Sequence, residues 1–122
     1  MKLKSVSIVG GGAWGTALAQ TLALGGQHVT LWAREPEVVD DIASRRVNRA
    51  FLPGVSLDEK ITATAGLTDV AAADAVLIVA PAQHVRTITS ALARNLRPET
   101  PVVMCAKTKS IGISRAVTYN DR

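Results

Sequence analysis

Short aliphatic and β-branched runs alternate along this chain with longer stretches at helical spacing. Val6, Ile8 and Val9 form the first run, which stops at three consecutive glycines, Gly10, Gly11 and Gly12. The spacing of Ala17, Leu18, Thr21, Leu22 and Leu24 then predicts a helix over 13–24, closed by Gly25 and Gly26. Val29 to Ala33 alternates and is rich in β-formers, so strand, helix and strand make a βαβ unit. Its right-handed crossover requires the two strands to be parallel. Pro36 suits the first turn of a helix that runs through Val38, Val39 and Ile42 to about Arg45, and a loop over 48–54 follows. A short strand over 61–64, a short helix over 67–73 and a buried strand over 75–79, stopped by Pro81, come next. A helix over 83–96, a turn over 98–101 and a strand over 102–106 ending at Lys107 complete the pattern. Strands and helices alternating without internal repeats predict an α/β fold, an open, doubly wound parallel sheet. Residues 108–122 offer no apolar face long enough for an element and stay unassigned.

Composition narrows the class without changing this picture. With 122 residues, 48% hydrophobic and 20% charged, the chain suits one globular domain with one core. Aromatic residues are only 3%, which fits short buried strands and close-packed helices better than an aromatic-rich β-sandwich. The single Cys105 cannot close an intrachain disulfide and no Cys/His cluster has zinc spacing, so no metal site and a reducing, cytoplasmic compartment are expected. The uncharged stretch from Ser5 to Ala33 after Lys2 and Lys4 invites comparison with a secretory leader. Six of the nine glycines lie within it, which argues against an apolar leader core or a membrane span. The net charge of +4 is diffuse: residues 1–74 carry 7 basic and 8 acidic groups, residues 75–122 carry 7 and 2. Without a basic run or aromatics near Arg86, Arg94 and Arg97, a nucleic-acid track is not expected.

The chemistry concentrates in the glycines. Gly10-Gly11-Gly12-Ala13-Trp14-Gly15 satisfies G-x-G-x-x-G and follows a strand directly while opening a helix, the setting a dinucleotide-binding turn requires. Gly10 permits the tight turn, Gly12 lets the backbone approach a pyrophosphate, and Gly15 lets the helix pack on the strand. Unpaired N–H groups and the positive helix end then attract phosphate. Trp14 lies where a large side chain covers the ligand or fills the core, while Trp32 reads as a packing residue. At the end of the second strand stand Arg34 and Glu35, one able to pair with a ribose 2′-phosphate. The other serves a 2′-hydroxyl, complements the next helix or simply faces water.

Together, Gly10-Gly-Gly-Ala-Trp-Gly-Thr-Ala-Leu-Ala19, Leu31-Trp-Ala-Arg34 and Asn48-Arg-Ala-Phe-Leu-Pro-Gly54 resemble the amino-terminal, cofactor-binding domain of bacterial NAD(P)-dependent glycerol-3-phosphate dehydrogenase. Val79-Ala-Pro-Ala-Gln83 and Cys105-Ala-Lys107 occur in the same order, so the resemblance covers residues 5–107, and the loop at 48–54 is its most selective part. It implies a Rossmann-like sheet over 1–107 that binds NADP or NAD. It also implies hydride transfer between glycerol 3-phosphate and dihydroxyacetone phosphate, which supplies phospholipid synthesis. Cofactor contacts are implied at Gly10, Gly12, Ala13, Trp14, Gly15, Arg34 and Lys107, with Lys107 also near the phosphorylated substrate. The family's lysine acid/base and most substrate contacts belong to a carboxyl-terminal helical domain that this chain lacks, so the chain is expected to be a truncated form. No catalytic residue is expected within it, and His28 and His84 read as structural or solvent-facing.

Two other functions compete. A hydroxyacid- or ketopantoate-type dehydrogenase shares the glycine turn but has no need of the Phe51-Leu-Pro-Gly54 loop. A stand-alone, non-enzymatic nucleotide-binding module would fit the small size and the missing acid/base. The sequence leaves the oligomeric state unknown.

Overall fold

The computed structural model describes residues 4–80, 82–107 and 114–119, with Ala82, Ala106, Lys107 and 114–119 described as backbone only. Its elements are β1 (Ser5–Val9), α1 (Ala13–Leu24), β2 (His28–Trp32), α2 (Pro36–Arg45) and β3 (Ile61–Thr64). They continue with α3 (Leu67–Val70), β4 (Ala75–Ile78), α4 (Ala82–Ala93), β5 (Val102–Lys107) and β6 (Ser114–Tyr119). The sheet order is β3-β2-β1-β4-β5-β6, with β1 to β5 parallel. This is the doubly wound Rossmann-like arrangement that the alternating elements predict. Expected and observed boundaries agree to within a few residues, the usual margin at fraying ends.

Strand alternation divides the apolar residues between two faces. Val6 and Ile8 of β1 pack with Ala19 and Ala23 of α1 and with Val38 and Ile42 of α2. Val9 joins Val70, Ile88 and Leu92 of α3 and α4 on the other face. Ser7 points to that second face, and its buried hydroxyl is satisfied by donating to the Val70 carbonyl at 2.8 Å. The helix expected over 67–73 stops at Val70 because the chain must enter β4. There the Asp74 carboxylate accepts the N–H groups of Lys4 and Ser5 at 2.9 and 3.2 Å and ties the start of β4 to the start of β1. Those two backbone donors hold the Asp74 carboxyl below the usual carboxylate range.

Within the stretch left unassigned from sequence, residues 114–119 form a strand. Strand β6 runs antiparallel to β5 in unbroken register from Lys107↔Ser114 to Val102↔Tyr119. A six-residue edge strand carrying Ser, Arg and Thr among its apolar residues has little hydrophobic signature of its own. Expectations about 108–113 and 120–122 lie outside the described residues.

Candidate functional site

The site grows from the point where β1 ends. Gly10 donates its N–H to the Trp32 carbonyl at 2.9 Å, which continues the pairing with β2, and turns the chain with φ at +138°. A side chain there would overlap the Val79 carbonyl oxygen. Gly11 is buried, and a Cβ on it would lie 2.6 Å from that of Ala33. A Cβ on Gly15 would overlap the Gly10 carbonyl oxygen, so α1 crosses the turn at backbone contact. Gly12 differs from all three: it is exposed, has an ordinary φ of −74°, and a Cβ on it would meet nothing within 4 Å. Its crowded neighbours are required by the fold, whereas Gly12 leaves room for something outside the fold.

Gly12 is also the N-cap of α1. No side chain caps this end and no acidic residue stands in the first turn, so the helix presents bare N–H groups and its positive dipole. In front of it lies a cavity of about 510 Å³ at the carboxyl ends of β1, β2 and β4. This is the point where the chain order reverses across the sheet, the usual ligand crevice of open α/β folds. Gly10 to Gly12 form one side, Trp32, Arg34 and Glu35 another, and Val79 and Ala80 the end of β4. Phe51, Leu67 and Ile88 add apolar wall, and His84 stands at the start of α4. A volume in the usual range for small-molecule sites, an anion-seeking helix end and a guanidinium at one end suit a phosphorylated nucleotide.

Of the residues expected at the site, Gly10, Gly12 and Arg34 border this cavity. Gly15 serves the turn from behind. Ala13 and Trp14 are exposed on the first turn of α1 and are not among the lining residues. Trp32, read as a packing residue, does line the cavity and donates its indole N–H to the Ala65 carbonyl at 2.9 Å. The backbone of Lys107 closes β5, and the role expected of its side chain lies outside the described residues. Glu35 is half-buried and starts α2 without a side-chain capping bond, so its carboxylate is not committed to that helix.

Three residues that support the turn were missed by reading along the chain. Asn48 and Thr16 are fully buried, and their side chains meet at the Gly11 carbonyl. Asp41 holds the following residue: its carboxylate accepts the Arg49 N–H at 2.9 Å and pairs with the Arg49 guanidinium at 2.9 Å. These hydrogen bonds hold the Asp41 carboxyl below its ordinary range. Only the 48–54 motif carried any signal of this support. Among the described residues, no group of three or more His, Cys, Asp or Glu side chains could hold a metal ion. No helix among them is long and apolar enough to cross a membrane.

Comparison with known proteins agrees with this geometry. The family model described as NAD-dependent glycerol-3-phosphate dehydrogenase N-terminus matches residues 5–117, ten residues beyond Lys107, where the motif resemblance ends. A glycerol-3-phosphate dehydrogenase [NAD(P)+] of Paramagnetospirillum magneticum is 56% identical over 105 residues, which cover 86% of this chain and 38% of the relative. The crystal structure of glycerol-3-phosphate dehydrogenase from Coxiella burnetii superimposes with a TM-score of 0.81 at 30% identity, covering 90% of this chain and 34% of that one. A ketopantoate reductase from Ralstonia eutropha reaches a TM-score of 0.69 at 23% identity, a likeness of fold alone. The chain thus spans about a third of the length of the curated relatives it matches. With a match over nearly its whole length, the chain belongs to the amino-terminal domain family of the NAD-dependent glycerol-3-phosphate dehydrogenases.

Proposed function

We propose that this chain is the NAD- or NADP-binding part of an oxidoreductase that interconverts glycerol 3-phosphate and dihydroxyacetone phosphate in the cytoplasm, a step that feeds phospholipid synthesis. The observation that carries the proposal is the uncapped end of α1 at Gly12, open toward the cavity while its neighbouring glycines are sterically required. When bound, the cofactor supplies hydride exchange at its nicotinamide. The residues of this chain bind and orient it. Gly10, Gly12, Ala13, Trp14 and Gly15 shape or cradle the pyrophosphate position, Arg34 and Glu35 meet the adenosine ribose, and Lys107 serves cofactor and substrate phosphate. In this reading the domain over 1–107 binds the cofactor, and the acid/base group of the full enzyme is assigned outside it. Phe51, the exposed residue of the 48–54 loop that lines the cavity, supports this reading over a ketopantoate-type enzyme.

Arg34 and Glu35 pull the choice of cofactor in opposite directions. A guanidinium on a 2′-phosphate contributes about 1.5–3 kcal/mol when well ordered, but Arg34 is exposed and screened by water. The Glu35 carboxylate beside it repels the same phosphate and accepts from a 2′-hydroxyl. The expected result is a preference for NADPH over NADH of only a few-fold, about 1 kcal/mol or less. Arg34→Ala should abolish it and Glu35→Gln should widen it. Titration of the 122-residue chain followed by the emission of Trp32, which lines the cavity, measures both affinities. A preference unchanged by Arg34→Ala would remove Arg34 from the site.

A further inference from the structure

Asn48 lies 37 residues along the chain from the glycine turn, yet its side chain is completely shut from solvent against it. Its Nδ2 group has two hydrogens and both are used. One goes to the Gly11 carbonyl at 2.9 Å and the other to the Thr16 hydroxyl oxygen at 2.8 Å. The Thr16 hydroxyl in turn donates to the Gly11 carbonyl at 3.4 Å. Asn48 Oδ1 accepts the N–H of Phe51 at 3.3 Å, and Phe51 lines the cavity. One buried amide therefore joins the floor of the site to its wall.

The bond to Gly11 has a directional consequence. A trans peptide is planar, so its C=O and N–H point opposite ways. With the Gly11 carbonyl held inward by Asn48 and Thr16, the Gly12 N–H is turned outward. Gly12 is exposed and lines the cavity, and this N–H meets no acceptor among the described residues. We infer that Asn48 is a positioning residue for a bound pyrophosphate: it fixes the Gly11–Gly12 peptide so that the Gly12 N–H faces the phosphate oxygens. The inference rests on the proposed cofactor site and assigns one of its donors. An isolated turn of three glycines would sample other peptide orientations, and Asn48 removes that freedom before the ligand arrives.

The test compares adenosine with ADP, which differ in the diphosphate alone. Both are titrated into the 122-residue chain by amide NMR, with the Gly12 N–H as reporter and thermal melting as a check on folding. Asn48→Ala should weaken ADP by about tenfold and leave adenosine within about twofold. The ADP-induced shift of the Gly12 amide should shrink with it. Thr16→Val, which removes the second group on the Gly11 carbonyl, should give a smaller loss of the same kind, and it decides the matter should Asn48→Ala not fold. Equal losses for adenosine and ADP, or an unchanged ADP affinity in a folded variant, would reduce Asn48 to a packing residue and overturn the inference. Failure of the unaltered chain to bind either ligand would overturn the cofactor site itself, and this assignment with it.

Discussion

Gly10→Ala should destabilise the fold by about 3 kcal/mol or more, a large part of the ~5–15 kcal/mol that holds a domain of this size together. Two effects combine. The backbone at Gly10 has φ at +138°, a conformation that an L side chain enters only with strain, and an added Cβ would overlap the Val79 carbonyl oxygen. That carbonyl cannot simply turn away. Val79 follows β4 and donates its own N–H to the Val9 carbonyl at 2.8 Å, so moving it separates β4 from β1 at the crevice. Urea denaturation should show a lower midpoint with an unchanged slope, and the melting temperature should fall by roughly 10 °C or more. A loss below about 0.5 kcal/mol would mean that the turn relaxes freely and that its close approach to Val79 at the end of β4 is not as rigid as described.

Gly12→Val should do the opposite: fold normally and bind poorly. With φ at −74° and no atom within 4 Å of the added Cβ, the turn accepts a side chain, and the loss of stability should stay within about 1 kcal/mol, the cost of valine at a helix N-cap. The new side chain would stand in front of the uncapped N-terminus of α1, where the proposed pyrophosphate approaches backbone N–H groups. Dinucleotide affinity should fall at least ~10-fold, or ~1.4 kcal/mol, for NADH and NADPH alike. Calorimetric titration beside a denaturation curve separates the two effects. Wild-type affinity in the folded variant would place the ligand elsewhere. The two glycines, two residues apart, thus test different properties of one turn.

Local signals served the sequence reading well wherever the structure is local. Alternation in β1 and β2, the glycine stop after α1 and Pro36 at the start of α2 each act within a few residues, and those elements appear where they were expected. Contacts made across the fold were not legible in the same way. The 48–54 motif singles out the loop that Asn48 opens, but not that the chain folds back and sets the Asn48 amide on Gly11. The surroundings of the two tryptophans show the same limit. Trp14, read as covering a ligand or filling the core, stands exposed on the first turn of α1, next to Gly12 and Ala13. Trp32 sits at the carboxyl end of β2 and packs with the α3 and α4 face, beside the crevice. Strand alternation contained that information, since Val29 and Leu31 belong to the opposite face, but using it requires knowing which face holds the crevice. Strand β6 was missed because its pairing with β5 is set by register across the sheet rather than by its own hydrophobicity.

The central claim, that the turn from Gly10 to Gly15 seats the pyrophosphate of a dinucleotide, is tested most directly by mapping backbone amide shifts of the 122-residue chain as NADPH is added to saturation. The largest shifts should fall on Gly11, Gly12, Ala13 and Trp14, with a second group at Arg34 and Glu35 where β2 runs into α2. Shifts centred on the far end of the sheet, around Arg97 to Pro101, or no shifts at millimolar NADPH, would contradict the account.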